Sequence, residues 1–412
     1  MTESRIAARI RNIKPSPSSS AADRAAELRR QGKDLVNLVV GEPDFDTPAH
    51  IRKAAAEAIE RGETRYTANV GTLALREAIA SKLKRENGLD YSPRDIIVTC
   101  GAKHAIFNAL AVTVEPGTEV LIPAPYWVSY PDMVIACGGT PVTLATSEAD
   151  GFKVTPQALQ DAITPATRWL IVNSPTNPTG AAYTAAELRG LADVLLKHQQ
   201  VMVMMDDIYE HIRFDGEANP HLLTVEPSLK DRVLVINGVS KTYAMTGWRI
   251  GYAAGPADLI GALDKLQSQS TSNASSVSQA AALAALTGDQ SFVAESTAIY
   301  RQRRDRALEL INQIPGLSCR APGGAFYLYV NCGGWIGRVT PEGKKLEDDT
   351  DVVLYLLNGV GVGLINGSAY GTSPYFRMST ATGVEVIEEG CRRIAVAGAA
   401  LSGTGDGSEV RA

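Results

Sequence analysis

Short, nearly unbroken apolar runs recur through the middle of the chain: DIIVT (95–99), EVLIP (119–123), WLIVN (169–173), VMVMMD (201–206) and VLVIN (233–237). Their length and their β-branched content predict strands. Between them lie stretches with apolar residues at helical spacing, such as KHAIFNALAVTV (103–114) and AAELRGLADVLLKH (185–198). A strand that is apolar at every position is buried on both faces. The alternation therefore predicts an α/β fold whose parallel sheet is covered by helices on both sides.

In such a sheet the ligand lies beyond the carboxyl ends of the strands. The residues found there are unusually rich in chemistry. The first run leads into Cys100-Gly101-Ala102-Lys103, opening a helix, and the second into APYWVSYP, with Tyr126 and Trp127. The third is followed by NSPTNPTG, with Asn177, and the fourth by DDIYE, with Asp206 and Tyr209. The last leads into NGVSKTYAMTGWRIGY, with Lys241 and, eight residues later, Arg249. Each could be a turn taken singly; a polar or aromatic cluster at every strand end describes one site.

Composition narrows the classes of function. A length of 412 residues exceeds one comfortable core and favours two domains, or one large domain with a smaller one appended. A net charge of −5 and a pI near 5.7 argue against a nucleic-acid binder or an anionic-membrane binder. The opening residues MTESRIAARIRNIKPSPSSS contain no apolar core of a secretory signal, and no long apolar run predicts a membrane span. Five scattered cysteines without a CxxC pair read as reduced thiols of a cytoplasmic protein. The isolated histidines, with no HExxH, predict no zinc site.

One lysine, one carboxylate, a tyrosine, an amide, a flat aromatic, an arginine and a helix N-terminus suit no single-substrate hydrolysis. A pyridoxal 5'-phosphate site uses all of them: a lysine to bond to the aldehyde and a carboxylate to keep the pyridine nitrogen protonated. It also needs donors to the phenolic oxygen, an aromatic plate over the ring, and a phosphate cradle.

NSPTNPTG, DDIY and SKTYAMTGWRIGY resemble the aspartate aminotransferase family of class I, fold-type I pyridoxal phosphate enzymes, in its prokaryotic subgroup. GEPDFDTP (41–48), YTANVGTLALREAIA (66–80), PAPYWVSYP (123–131) and FRMSTAT (376–382) extend the match, in order, from about Lys14 to Arg393. The resemblance implies a large domain over residues 50–300, with a mostly parallel seven-stranded sheet flanked by helices. It implies a smaller α+β domain from both chain ends, residues 1–49 and 301–400; the small polar residues of 401–412 read as a disordered tail.

The resemblance also implies roles. Lys241 matches the lysine that bonds to the cofactor and later shuttles the proton; its dull alternative is a surface lysine. Asp206 matches the partner of the pyridine nitrogen, whereas Asp207, standing where glutamate is commoner, reads as a cap of the next helix. Tyr209 and Asn177 match the donors to the phenolic oxygen, and Trp127 the ring platform. Gly101, Ala102, Lys103, Ser240 and Arg249 match the phosphate site. Gly238 stands where many relatives carry serine, which predicts one hydroxyl contact fewer. Tyr66 matches a residue that reaches the neighbouring subunit's phosphate, implying a homodimer with shared active sites, and QSQSTSNASSVSQ (267–279) reads as a second partner-facing region.

For substrates the resemblance implies an amino acid and a 2-oxoacid in ping-pong exchange. Arg377 matches the clamp on the α-carboxylate, and Gly41 would lie too close to it to bear a side chain. Lys103, Ser16 and Ser18 occupy positions that recognise a distal carboxylate, which favours aspartate and 2-oxoglutarate; Lys103 is equally readable as a helix-start lysine with its head in solvent. An aromatic, prephenate or broad-specificity aminotransferase remains open, as does elimination or oxidative chemistry on the same cofactor. NGVGVGLING (358–367) lacks the spacing of a dinucleotide loop and reads as a strand and turn.

Overall fold

The computed structural model describes residues 5–15, 17, 23–24, 27, 30–216 and 218–403. A short strand near the start, β1 (Val36–Asn37), precedes seven strands of one sheet: β2 (Ile96–Thr99), β3 (Glu119–Pro123), β4 (Thr140–Leu144), β5 (Thr167–Asn173), β6 (Met202–Asp206), β7 (Val233–Gly238) and β8 (Gly251–Ala254). They lie in the order β2-β8-β7-β6-β5-β3-β4. Only β8 runs against its neighbours, β2 and β7.

The reason for the continuous apolar runs is visible in where alternate residues go. Val98, Leu121, Leu170, Val203 and Val235 enter the core on one face of the sheet. Ile97, Val120, Ile171, Met204 and Leu234 enter the core on the other. Successive side chains of a strand point to opposite faces, so both parities must be apolar. Each such side chain, fully buried, stabilises the fold by about 1.5–3 kcal/mol.

The five predicted strands are present, and the two helices occupy Ala102–Thr113 and Ala185–Leu195. The second opens with a capping box in which Thr184 accepts from the Glu187 N–H and Glu187 accepts from that of Thr184. Two strands of the sheet were not foreseen: β4, an edge strand whose TPVTL is mostly only partly buried, and β8, whose GYAA carries little apolar pattern. Gly251 is required there: a Cβ would fall 2.2 Å from the Ala102 nitrogen, so the strand could not pass the start of the helix.

A second body contains β9 (Tyr327–Asn331), β10 (Val362–Gly363), β11 (Ile365–Asn366) and β12 (Tyr375–Ser379). The last two pair with β9 in the antiparallel order β11-β12-β9. Val36 of β1 pairs with Val362 of β10, and Val36 and Leu38 share a core with Leu328, Phe376, Ile387 and Ile394. The start of the chain is thus packed into its end. NGVGVGLING forms the expected strand and turn, preceded by a helix end: Asp349–Val360 stops at Gly361, with φ 69°, and the two short strands β10 and β11 follow. A Cβ on Gly361 would lie 2.5 Å from the Asp34 carbonyl oxygen, so the glycine permits both the left-handed turn and the close approach. Among the described residues no helix is long and apolar enough to cross a membrane.

Candidate active site

A cavity of about 480 Å³ opens beyond the carboxyl ends of β5, β6 and β7, between the two bodies. Of the sequence-predicted residues it is lined by Gly41, Ala102, Lys103, Trp127, Asn177, Asp206, Tyr209, Ser240, Lys241, Arg249 and Arg377. Among the further residues that line it and that the strand-end pattern did not single out are Glu42, Tyr130 and Tyr327.

Asp206 is the last residue of β6 and is buried. The Tyr130 hydroxyl donates to its Oδ2 at 2.5 Å, and the Ile208 N–H approaches Oδ1 at 3.4 Å. Burial pushes this carboxyl up to about 6, with the hydrogen bonds from Tyr130 and Ile208 opposing the rise. Asp207, one residue on, points away from the cavity and lies 3.4 Å from His221 Nε2. It does not cap a helix, because the chain passes through a turn there. His221 Nδ1 accepts from the Leu223 N–H, and burial depresses the ring to about 4. Burial likewise raises Asp207 well above the carboxylate range, so this second pair is held neutral.

The Lys241 side chain reaches across the cavity, where its Nζ donates to the Gly41 carbonyl oxygen at 2.6 Å. Burial lowers its pKa to about 8; Glu42 opposes that shift, while Arg249 and Arg377 add to it. Gly41 leaves room that a side chain would take: a Cβ would stand 2.9 Å from the Tyr327 hydroxyl and 3.8 Å from Arg377 Nη1 and Nη2.

Arg377, on β12, is buried beneath the opposite wall. Its Nη1 donates to the Asn177 Oδ1 at 3.0 Å and its Nη2 to the Val39 carbonyl at 2.6 Å. The guanidinium carbon lies 4.4 Å from the Tyr327 ring centroid and 5.4 Å from that of Tyr370. Asn177 itself is fixed by Asn173, whose Oδ1 accepts the Asn177 N–H at 2.9 Å. Because the Asn177 amide oxygen faces Arg377, its NH2 group is what it can offer a ligand. The Tyr209 and Tyr327 hydroxyls lie 2.9 Å apart.

At the mouth, helix Ala102–Thr113 presents its N-terminus, whose first backbone N–H groups have no partner within the helix. Arg249 lies beside it, donating to the Thr246 carbonyl at 2.9 Å from a backbone with φ 55°. A non-glycine residue held there costs about 1–3 kcal/mol, which packing must offset. Gly101 stays just outside the lining, yet its lack of a side chain matters: a Cβ would fall 2.3 Å from Arg249 Nη2. Lys103 is exposed as a residue, but its amine stands 4.7 Å from the Trp127 ring centroid. Desolvation of the amine, and then Arg249, lowers its pKa.

Some expectations fall elsewhere. Gly238 is not a missing hydroxyl of this cavity: a Cβ there would meet the Ile250 carbonyl oxygen at 2.8 Å, so glycine lets β7 pass β8. Tyr66 lies outside the cavity, 89% exposed in a separate surface groove of about 660 Å³ that Gln279 and Leu283 also line. Within the 267–279 segment, Gln267 and Gln279 are buried pins rather than loop residues; Gln267 Nε2 donates to the Asn69 and Val98 carbonyls at 2.7 and 2.9 Å. Ser16 and Ser18 lie outside the described residues.

The cavity thus combines a shielded amine, a buried carboxylate and cationic groups at both ends. This suits a ligand with one cationic ring atom and several anionic groups. Residues 33–394 match the family model described as aminotransferase class I and II. A protein of Rhizobium leguminosarum bv. phaseoli named as a probable aspartate/prephenate aminotransferase is 52% identical over 389 residues, covering 94% of this chain and 97% of its own. The crystal structure of the aspartate aminotransferase from Rhizobium meliloti matches with a TM-score of 0.95 at 50% identity, over 97% of this chain and 100% of its own. That of the Thermus thermophilus aspartate aminotransferase with maleate matches with a TM-score of 0.88 at 39% identity, over 96% of this chain and 100% of its own.

Proposed function

The chain belongs to the aminotransferase class I and II family, and from that premise we propose that it exchanges amino groups between aspartate and 2-oxoglutarate, with pyridoxal 5'-phosphate in the cavity. The observation that carries the reading is the meeting of the Lys241 amine and the buried Asp206 carboxylate in one cavity whose mouth bears Arg249 and a helix N-terminus. The cradle at Gly101 supports it too, since only a residue without a side chain leaves Arg249 its place.

In this reading Asp206 would pair with the ring nitrogen, and Tyr209 and Asn177 would donate to the phenolic oxygen. Arg249, Ser240 and the N–H groups of Ala102 and Lys103 would hold the phosphate, and Trp127 would cover the ring. When bound, the cofactor supplies a sink for the electron pair left at the substrate's α carbon. Lys241 Nζ removes the proton from that carbon and later returns one; an amine lowered to about 8 is unprotonated in a useful fraction near neutrality. Arg377 grips the α-carboxylate with its planar fork, already aimed by Asn177 and Val39. Closure of the cavity between the two bodies would exclude water from that carbon.

Lys103, at the mouth, would meet the distal carboxylate of aspartate or glutamate. The maleate in the matched Thermus structure, also a dicarboxylate, supports this preference. Prephenate forms a second reading, favoured by the name of the Rhizobium relative and by the Lys103 amine over Trp127, which would serve its second carboxylate equally. Active sites shared across a homodimer, in the cytoplasm, complete the proposal.

Steady-state rates with aspartate, glutamate, alanine, phenylalanine and prephenate, for the native protein and Lys103→Ala, test it. We expect aspartate and 2-oxoglutarate to dominate and the variant to lose preference for dicarboxylates over alanine. Negligible turnover of aspartate would overturn the specificity.

A further inference from the structure

We propose that Tyr327 is a positioning residue for transamination, its hydroxyl orienting Tyr209 and its ring seating Arg377. The inference rests on reading the cavity as the pyridoxal phosphate site and adds a residue to it.

Tyr327 opens β9, in the body opposite Tyr209, and is 1% exposed. It touches three functional residues at once. Its hydroxyl is 2.9 Å from that of Tyr209. Its ring lies 4.4 Å beneath the Arg377 guanidinium carbon, within cation–π range. Its hydroxyl also fills the space a side chain at Gly41 would need, 2.9 Å from that imagined Cβ, and the Gly41 carbonyl receives the Lys241 amine.

Donor arithmetic gives the Tyr209–Tyr327 contact a direction. A phenol has a single O–H. If Tyr209 spends its proton on the cofactor's phenolic oxygen, its own oxygen must accept, and Tyr327 must donate. A phenol that accepts a hydrogen bond becomes a stronger donor, because the chain of bonds polarises along its length. Tyr327 would therefore strengthen the bond that stabilises the deprotonated phenolic oxygen, although it does not touch the cofactor. The ring acts separately: it supports the flat face of Arg377, so that the in-plane N–H groups not taken by Asn177 and Val39 can meet a carboxylate. One side chain from the small body thus adjusts both the cofactor end and the substrate end.

The two parts of Tyr327 are separable by substitution. Tyr327→Phe keeps the ring and loses the hydroxyl; Tyr327→Leu loses both. For the holoenzyme, the pH midpoint of the cofactor's visible absorbance is measured together with kcat and KM. In Tyr327→Phe the midpoint should rise by about half to one pH unit, the size of weakening one hydrogen bond to a charged acceptor, with KM for the amino acid changed about twofold or less. In a Tyr209→Phe background the same substitution should leave the midpoint unmoved, because its route is gone. Tyr327→Leu should in addition raise KM about tenfold or more. An unchanged midpoint in Tyr327→Phe, or an equal shift with and without Tyr209, would overturn the proposal. If the native protein shows no pH-dependent visible band that Lys241→Ala abolishes, the cofactor reading itself fails and this inference falls with it.

Discussion

The Lys241 amine and the Gly41 carbonyl oxygen are 2.6 Å apart, joining positions two hundred residues apart in the chain. The contact ties the Lys241 amine, beyond the end of β7, to the segment that follows β1 of the second body. It also places Gly41 where three needs coincide: an acceptor for Lys241, clearance for Tyr327, and an open approach to Arg377.

Gly41→Ala should therefore harm substrate binding more than folding. The added Cβ would stand 2.9 Å from the Tyr327 hydroxyl, closer than real contacts allow, so the tyrosine or the loop must move. Overpacking of this kind costs about 1–3 kcal/mol. Spread onto Arg377 and Lys241, that predicts a KM for aspartate about tenfold higher or more, with the melting temperature shifted by only a few degrees. Equal KM values for variant and native protein would show that Gly41 is merely a turn.

Two pKa shifts predict how cofactor capture depends on pH. Burial raises Asp206 to about 6, so the carboxylate form, which pairs with a protonated ring nitrogen, is lost as pH falls through that value. Affinity of the cofactor-free protein for pyridoxal phosphate should drop with it. Lys241 is lowered to about 8, and only the unprotonated amine adds to an aldehyde. The rate of capture should rise as pH climbs through 8 and level off above. Stopped-flow absorbance across this range checks both limbs; a rate that ignores pH between about 7 and 9 refutes the assignment to Lys241.

The sheet and the strand-end residues were legible because burial on both faces writes an unmistakable apolar run, and because a ligand site must lie where those runs stop. Other features depend on contacts that no local pattern records. Asp206 and Asp207 look alike in sequence; their opposite fates follow from successive side chains pointing to opposite sides, with Asp206 in the cavity and Asp207 against His221. Tyr130 had a local signal, standing three residues after Trp127 at the start of the Ser129–Ala136 helix, so that it returns to the same side one turn later. Tyr327 had none, since its partner Tyr209 lies 118 residues away in the other body. Gly238 takes its constraint from the backbone of β8, one of the two strands that no apolar run announced.

Stability should depend on a polar cluster behind the cavity wall. Glu210 follows Tyr209 and is buried; it pairs with Lys82 and accepts from Asn87 Nδ2 and Asn237 Nδ2, each at 2.6 Å. Although burial opposes ionisation, Lys82 first and then His211 hold its carboxyl down to about 2, below its ordinary 4.5. Its stabilising contribution is thus complete above about pH 4.5 and lost as pH falls toward 2. Lys82→Met strands that carboxylate, which typically costs about 3–5 kcal/mol. Chemical denaturation at neutral pH should show a loss of this size. The double variant Lys82→Met with Glu210→Gln should regain a large part of it, since no uncompensated charge remains. A single variant as stable as the native protein would mean that solvent reaches the pair.

The remaining prediction concerns Tyr66, which stands 89% exposed and does not line the cavity of its own chain. The groove is also lined by Arg61, Glu63 and Arg65, and by Leu283 from the Ser276–Thr287 helix. A second copy of the chain seated there would cover the ring and bring its hydroxyl to the partner's phosphate site, as the family resemblance implies. Sedimentation should then report a dimer. Tyr66→Phe should leave that dimer intact while weakening pyridoxal phosphate binding about tenfold to a hundredfold, the worth of one hydrogen bond to a charged oxygen, at about 1.5–3 kcal/mol. A catalytically active monomer, or a dimer whose cofactor affinity ignores the loss of the hydroxyl, would remove Tyr66 from the site.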